Sequence, residues 1–253
     1  MFIWLRFTLP QFASYLSSFQ TDPSQYKNQG YLSEAIFNFI AFLGWSPEGE
    51  DELFSREELI ERYDPARMSK SPAYFDQSKL DWINAAYIKR LDLDDMTDRV
   101  LELVDEGQTD VAKQVKALQL PDLRTLTSQV CKIYQTEIHQ LSEIMDKVLF
   151  YVTILQEPLD YDQLRQFDRT ATLAVLTAFR KHVQALPVDV ATPDFKKMIQ
   201  TVSQETGVTG RNLYFPLNVA FTGDHSAPQI DEVLRLFANS TIIALLTKAI
   251  AHV

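Results

Sequence analysis

The sequence predicts an all-α fold, on three observations. Apolar residues recur at threes and fours along most of the chain, the period of a helix that buries one face. Capping residues stand where these runs begin, and Gly or Pro where they end. Only seven glycines occur in 253 residues, too few for a large β protein built on tight turns.

The elements follow in order. The first 19 residues are rich in aromatics, but Arg6 and Pro10 interrupt the apolar run and no small-residue cleavage site follows. They read as a short amphipathic helix packed on the body, short of the roughly 20 apolar residues of a membrane span. Leu32 to Gly44 carries Leu32, Ile36, Phe39, Ile40 and Leu43 on one stripe, and Gly44 stops it. Ser55 caps the next helix, with Glu57 and Glu58 in a first turn that favours anions. That helix ends near Tyr63, and Ser71-Pro72 forces an extended link. Asp76 caps a helix to Leu91 with Leu80, Ile83 and Ile88 inward. Leu93 to Asp105 is acidic and amphipathic, and Gly107 punctuates it; Val111 to Leu118 is short. One long helical pattern runs from Leu123 to Leu155 and ends at Pro158. Further helices are expected near Tyr161–Leu186, Pro193–Gly207 and Ile230–His252. Gly210 to Gly223 is aromatic and β-branched, and fits a short extended segment or a helix start. The expected boundaries give an atypical segment 1–20, then regions 21–92, 93–158 and 159–253.

Charge and composition narrow the function classes. Hydrophobic residues make up 46% of the chain, enough for an ordinary soluble core. A formal net charge of −10 opposes broad binding to a polyanion, so any RNA contact must come from a local basic face. The one cysteine, Cys131, precludes an intrachain disulfide and sits among apolar neighbours as a buried helix thiol; a reducing cytoplasm fits. The four histidines lack metal-ligand spacing. Asp92-Leu93-Asp94-Asp95 lacks the glycine and distal glutamate of a calcium loop and reads as a helix-capping turn.

Three clusters carry a family resemblance. They are QGYLSEAIFNFIAFLGWSP from Gln29 to Pro47, MSKSPAYFDQSKLDWINAAYI from Met68 to Ile88, and LYFPLNVAFTG from Leu213 to Gly223. In order and spacing they resemble bacterial glutamyl-tRNA synthetase, downstream of its catalytic loop, over residues 21 to 250. The resemblance implies stem-contact helices followed by a two-part helical cage that binds the anticodon. It also implies that tRNA(Glu) is the partner, with room for a separate catalytic chain and with neither membrane nor DNA involved. ATP and magnesium are implied for the full-length family enzyme alone. The family's K-L-S-K-R loop falls here on Tyr15-Leu16-Ser17-Ser18-Phe19, which lacks the cations that offset phosphate charge. Arg67-Met68-Ser69-Lys70-Ser71 looks like such a loop, but it matches the family's own downstream S-K-S-P-A segment. No H-x-G-H spacing occurs, so catalysis by this chain alone is not expected.

Candidate phosphate contacts are Arg67, Lys70, Lys89 and Arg90 in the first block, and Lys132, Arg180, Lys181 and Arg211 further on, with Lys196 and Lys197 beside them. Aromatics that could stack on unpaired bases include Tyr26, Tyr31, Phe37, Phe39, Phe42, Trp45, Phe75, Trp82 and Tyr87, though most fall at core spacing. Where the family commonly has cations, this chain has Glu137, His139, Asn218 and Ala238-Asn239, which weakens the expected pull on phosphate. A protein-interaction domain without RNA binding, or a complementing subunit of a split synthetase, stand as the rival expectations.

Overall fold

The structure is a computed structural model, and it describes residues 23–68, 75–154, 159–186, 193–226 and 229–253. The expected N-terminal helix, Lys70, the Ser71-Pro72 link and the Pro158 stop lie outside these residues. Among the described residues the chain is all helix apart from turns, with one isolated antiparallel bridge between Trp45 and Met68. It divides into two compact units between Val148 and Leu149.

The first unit begins with α1 (Pro23–Asn28) and α2 (Ser33–Phe42), joined through Gly30. Gly30 holds φ +79°, and a Cβ there would lie 2.7 Å from the Leu141 Cβ. Only glycine fits that backbone and that gap. α3 (Arg56–Arg62) opens with a full capping box: the Ser55 hydroxyl accepts from the Glu58 N–H, and the Glu58 carboxylate accepts from the Ser55 N–H. α4 (Gln77–Ile88) starts at Asp76, whose carboxylate accepts from the Lys79 N–H. α2 packs on α3 and α4. Trp45, Phe54 and Leu59 form a small apolar cluster here, with Phe42, Tyr63 and Met68 against it.

α5 (Leu93–Glu106) runs from an Asp92 cap to a left-handed Gly107. It packs on α6 (Asp110–Ala117) and α7 (Leu123–Tyr134). The expected helix from Leu123 to Leu155 is in fact two, α7 and α8 (Ser142–Thr153). The reason is tertiary. Leu141 and Ser142 donate their N–H groups to Gly30 O and Gln29 O instead of to a preceding turn. Asn84 holds the His139 carbonyl, and Glu143 Oε1 accepts from both His139 N and Gln140 N at 2.8 Å. Gln135 Nε2 in turn bonds Ile88 O and Leu91 O at the end of α4. These long-range bonds replace a helical turn whose apolar spacing looked continuous.

The second unit is centred on α9 (Arg169–Gln184), which Asp168 caps. The expected helix near Tyr161–Leu186 is therefore a 3-10 turn, Tyr161–Gln166, followed by α9. Val175, Leu176, Phe179 and Val183 bury one face of α9. Against it pack α10 (Phe195–Thr206), α11 (Arg211–Thr222) and α13 (Asn239–His252). The Gly210 to Gly223 stretch resolves as helix α11, despite Pro216 inside it. Asn212, whose carbonyl the missing Pro216 amide would have bonded, is exposed. The expected Ile230–His252 helix is two, α12 (Ile230–Leu234) and α13. Between them Phe237 packs on Tyr151 and Phe221, and Ala238 turns to extended backbone.

Candidate nucleic-acid interface

In the first unit, a polar node sets the orientation of α4. The Tyr31 hydroxyl donates to Asp81 Oδ1 and accepts from Gln77 Nε2 at 2.8 Å and Gln140 Nε2 at 2.7 Å. Burial, then the neighbouring Asp81, push its pKa well above the usual tyrosine value, so it stays protonated. Asn84, fully buried on the same helix, accepts from Leu32 N at 2.9 Å. Both faces of contact hold α4 against the α1–α2 turn and the α7–α8 connection.

With those positions inward, Ser78 and Trp82 on the outer side of α4 are exposed, as are Lys89 and Arg90 just past its end. Trp82 is 49% exposed. The one carboxylate of this helix, Asp81, is turned to Tyr31 and Gln77. Lys79 borders this side, paired with Glu52 at 2.7 Å and lying over the Phe42 ring. The charge of Arg90 reaches Glu58 and Tyr87. Glu58 is held below the usual carboxylate range mainly by the Ser55 N–H, with Arg62 and Arg90 adding to it. The positions of Lys89 and Arg90 at the negative end of the helix also suit the helix dipole.

Arg67 is engaged within the protein. Its Nε donates to Ser46 O and its Nη2 to Pro47 O, each at 2.7 Å, and its Nη1 pairs with Glu48 at 3.2 Å. The guanidinium thus ties the 45–48 loop beside the Trp45–Met68 bridge. A side chain so committed does not fit the neutralisation of ATP phosphates. Lys132 is exposed on α7. The acidic turn at 92–95 acts as a cap: Asp92 accepts from Asp94 N, and Asp95 pairs with Arg99, which also reaches Glu34 at 2.9 Å. Among the described residues, no group of three His, Cys, Asp or Glu side chains is placed to hold a metal ion. Cys131 is buried, and burial pushes its thiol up to about 12, far from a reactive thiolate.

In the second unit, Arg180 donates to Thr247 Oγ1 at 3.3 Å across to α13, and Lys181 is exposed in the last turn of α9. Its neighbour His182 pairs with Glu205 at 2.9 Å. Arg211 opens α11 with its guanidinium 5.9 Å from the centre of the Phe215 ring. Phe215 meets Phe167 edge-on and His225 at a tilt. The His225 ring bonds Gln163, and the His225 carbonyl accepts from Asn218 Nδ2 at 3.0 Å. Asn218 is buried and braces this turn, so this position faces the protein interior. Tyr214 is 44% exposed on the same helix.

Of the expected contacts, Lys89 and Arg90 are brought together with an exposed tryptophan, and Arg211 with an aromatic cluster, while Arg67 and Arg180 hold parts of the protein. Reading by residue type alone missed the positioning groups Tyr31, Asn84, Gln77 and Gln135. The signal available was polar side chains recurring on otherwise apolar helix faces, as Asn84 does beside Ile83.

Comparison with known proteins places the chain. A family model described as an anticodon binding domain matches residues 75–250. A model of the catalytic domain of class I tRNA synthetases (E and Q) matches residues 16–82. Glutamate–tRNA ligase 1 of Levilactobacillus brevis is 99% identical over 230 residues, which is 91% of this chain and 46% of that protein. The glutamate–tRNA ligase of Limosilactobacillus reuteri is 46% identical over 230 residues, 90% of this chain and 45% of that protein. The chain thus spans somewhat under half the length of these relatives. A solved glutamate–tRNA synthetase from Elizabethkingia anophelis shares the fold with a TM-score of 0.69 at 19% identity, covering 91% of this chain and 44% of that one.

Proposed function

The chain belongs to the glutamate–tRNA ligase family, of which it carries the anticodon-binding domain, and on that premise we propose that it grips tRNA(Glu) and helps select it by its anticodon. The observation that carries this reading is the anticodon-binding match across residues 75–250, which takes in helices of both units. Its chemistry is recognition: cations meet phosphates and set the register, while aromatic and polar side chains read splayed bases. Lys89, Arg90, Lys132, Lys181 and Arg211 are the phosphate contacts this reading favours; of the other expected contacts, Arg67 and Arg180 are engaged within the protein, and Lys70 lies outside the described residues. Ligation of glutamate, with its ATP and magnesium, belongs to the whole family enzyme, and this chain contributes affinity and selection to it.

The test is filter binding of the purified chain to a tRNA(Glu) transcript and to the same transcript with an altered anticodon. Tighter binding of the first supports the reading; equal or absent binding removes it. A formal charge of −10 favours a second reading, a protein-interaction domain that no longer binds RNA. Retention of neither transcript at low salt would select that one.

A further inference from the structure

The small apolar cluster of the first unit ends on a sulfur. Trp45 and Met68 stand opposite each other in the isolated antiparallel bridge, so their side chains leave the same face of it. Tyr63 closes the group. Its ring centre lies 5.8 Å from that of Trp45, and its hydroxyl donates to Met68 Sδ at 3.1 Å. Trp45 is 2% exposed, and among the described residues its buried indole N–H has no hydrogen-bond acceptor. Met68 is only partly buried, whereas Met96 and Met145 are closed to solvent. Met198 on α10 is also partly buried, but its sulfur takes no such hydrogen bond among the described residues. Met68 therefore joins three features: a sulfur that solvent reaches, a phenol fixed on that sulfur, and an indole donor beside it that lacks a partner.

We propose that Met68 is a site of reversible oxidation by hydroperoxides, with Tyr63 deciding which lone pair of the sulfur takes the oxygen. A sulfur lone pair attacks the terminal oxygen of the peroxide; the S–O bond forms as the O–O bond breaks. The proton on the transferred oxygen passes to the departing hydroxide, which leaves as water. Sulfur gives up two electrons and the peroxide takes them. The Tyr63 hydroxyl occupies one of the two lone pairs, so the oxygen adds to the other and one sulfoxide epimer forms. The product suits its surroundings. A thioether is a weak acceptor and a sulfoxide oxygen a strong one, and the neighbouring Trp45 N–H is a buried donor in need of an acceptor. Oxidation thus brings a polar group into the cluster where a donor already waits for it. In the reverse step a sulfoxide reductase returns two electrons and two protons from thiols, and the oxygen leaves as water.

The experiment uses the full chain with Trp4→Phe and Trp82→Phe, so that Trp45 alone emits. The folded chain is treated with hydrogen peroxide, digested, and its methionine peptides are weighed. Met68 should gain one oxygen while Met96 and Met145 keep their thioethers. The Trp45 emission should move to the red in step with Met68 oxidation. Met68→Leu, close in volume, should fold as the parent does and show no such shift. In the digested peptides, one of the two epimer-specific sulfoxide reductases should restore Met68 about tenfold more completely than the other, while Met198 yields to both. Tyr63→Phe keeps the ring and should give Met68 sulfoxide in both epimers. The proposal is overturned if Met68 stays reduced while Met198 is oxidised, or if the parent gives both Met68 epimers equally. It is also overturned if the emission does not follow Met68, or shifts equally in Met68→Leu. Oxidation of Met96 and Met145 at the rate of Met68 would mean that the chain had opened, and that too would sink it.

Discussion

At the scale of single residues, the structure rests on a few positions where no other side chain serves. Gly30 is the clearest. Its φ of +79° is a left-handed conformation, and an added Cβ would meet Leu141 Cβ at 2.7 Å, Leu141 N at 2.8 Å and Ser142 N at 2.9 Å. Two of the three are backbone atoms that cannot rotate away. Gly30→Ala therefore adds backbone strain of about 1–2 kcal/mol to an overpacking cost of about 1–3 kcal/mol. Urea unfolding should show a loss of about 2–5 kcal/mol. By contrast Gly49 also has a positive φ, but nothing lies within 4 Å of its Cβ position, so alanine there meets the strain alone. The same contrast separates the cations. Arg67 looks like Lys89 in sequence, yet its donors are committed to Ser46 O and Pro47 O, while Arg180 reaches Thr247 Oγ1 through one nitrogen. A sequence gives the charge of a side chain and not what that charge is already holding.

At the scale of elements, most helices were legible because local signals define them. Ser55, Asp76 and Asp92 cap where expected, and Gly107 and Gly207 close their helices in left-handed backbone. The misreadings arose where distant partners decide. Ile138 and Leu141 are buried and at helical spacing, so the apolar stripe runs on through a connection that is not helical. What breaks the helix is hydrogen bonding from Gly30, Asn84 and Gln135, residues that the periodicity does not register. Phe237 divides α12 from α13 in the same way, by packing on Tyr151 and Phe221. Asn84 is the testable member. It is fully buried, accepts from Leu32 N and donates to His139 O, joining α2, α4 and the α7–α8 connection. Asn84→Ala leaves the Leu32 N–H buried without that acceptor, and should cost about 2–4 kcal/mol in urea unfolding. Amide exchange should quicken in the 135–141 connection and at Leu32 while the second unit's α9 keeps its protection.

At the scale of the whole molecule, the family was legible from three separated strings, since each records helices and turns that must recur together. The binding face was less so. In sequence Trp82 is one of nine aromatics that could stack on bases, most of them at core spacing, and the structure leaves it exposed while Asp81, Asn84 and Ile88 turn inward. Net charge constrains how such a face can work. With 24 Lys and Arg against 34 Asp and Glu, the long-range field of the chain repels a polyanion. Binding must then rest on short-range contacts, and few cations are placed for them. Arg67, Lys79, Arg99, Arg124 and Arg165 are all paired with carboxylates. If Lys89, Arg90, Lys132, Lys181 and Arg211 each neutralise one phosphate, the slope of log affinity against log salt should be about −3.5 to −4.5. A nonspecific basic surface would give a steeper slope and bind any transcript. The measurement is titration of the tRNA(Glu) transcript at several potassium chloride concentrations. A slope steeper than about −6 would mean that cations outside this set carry the binding. A slope within the expected range, retained when the anticodon is altered while affinity falls, would separate the two jobs: phosphate contacts hold the RNA, and uncharged or stacking contacts choose it.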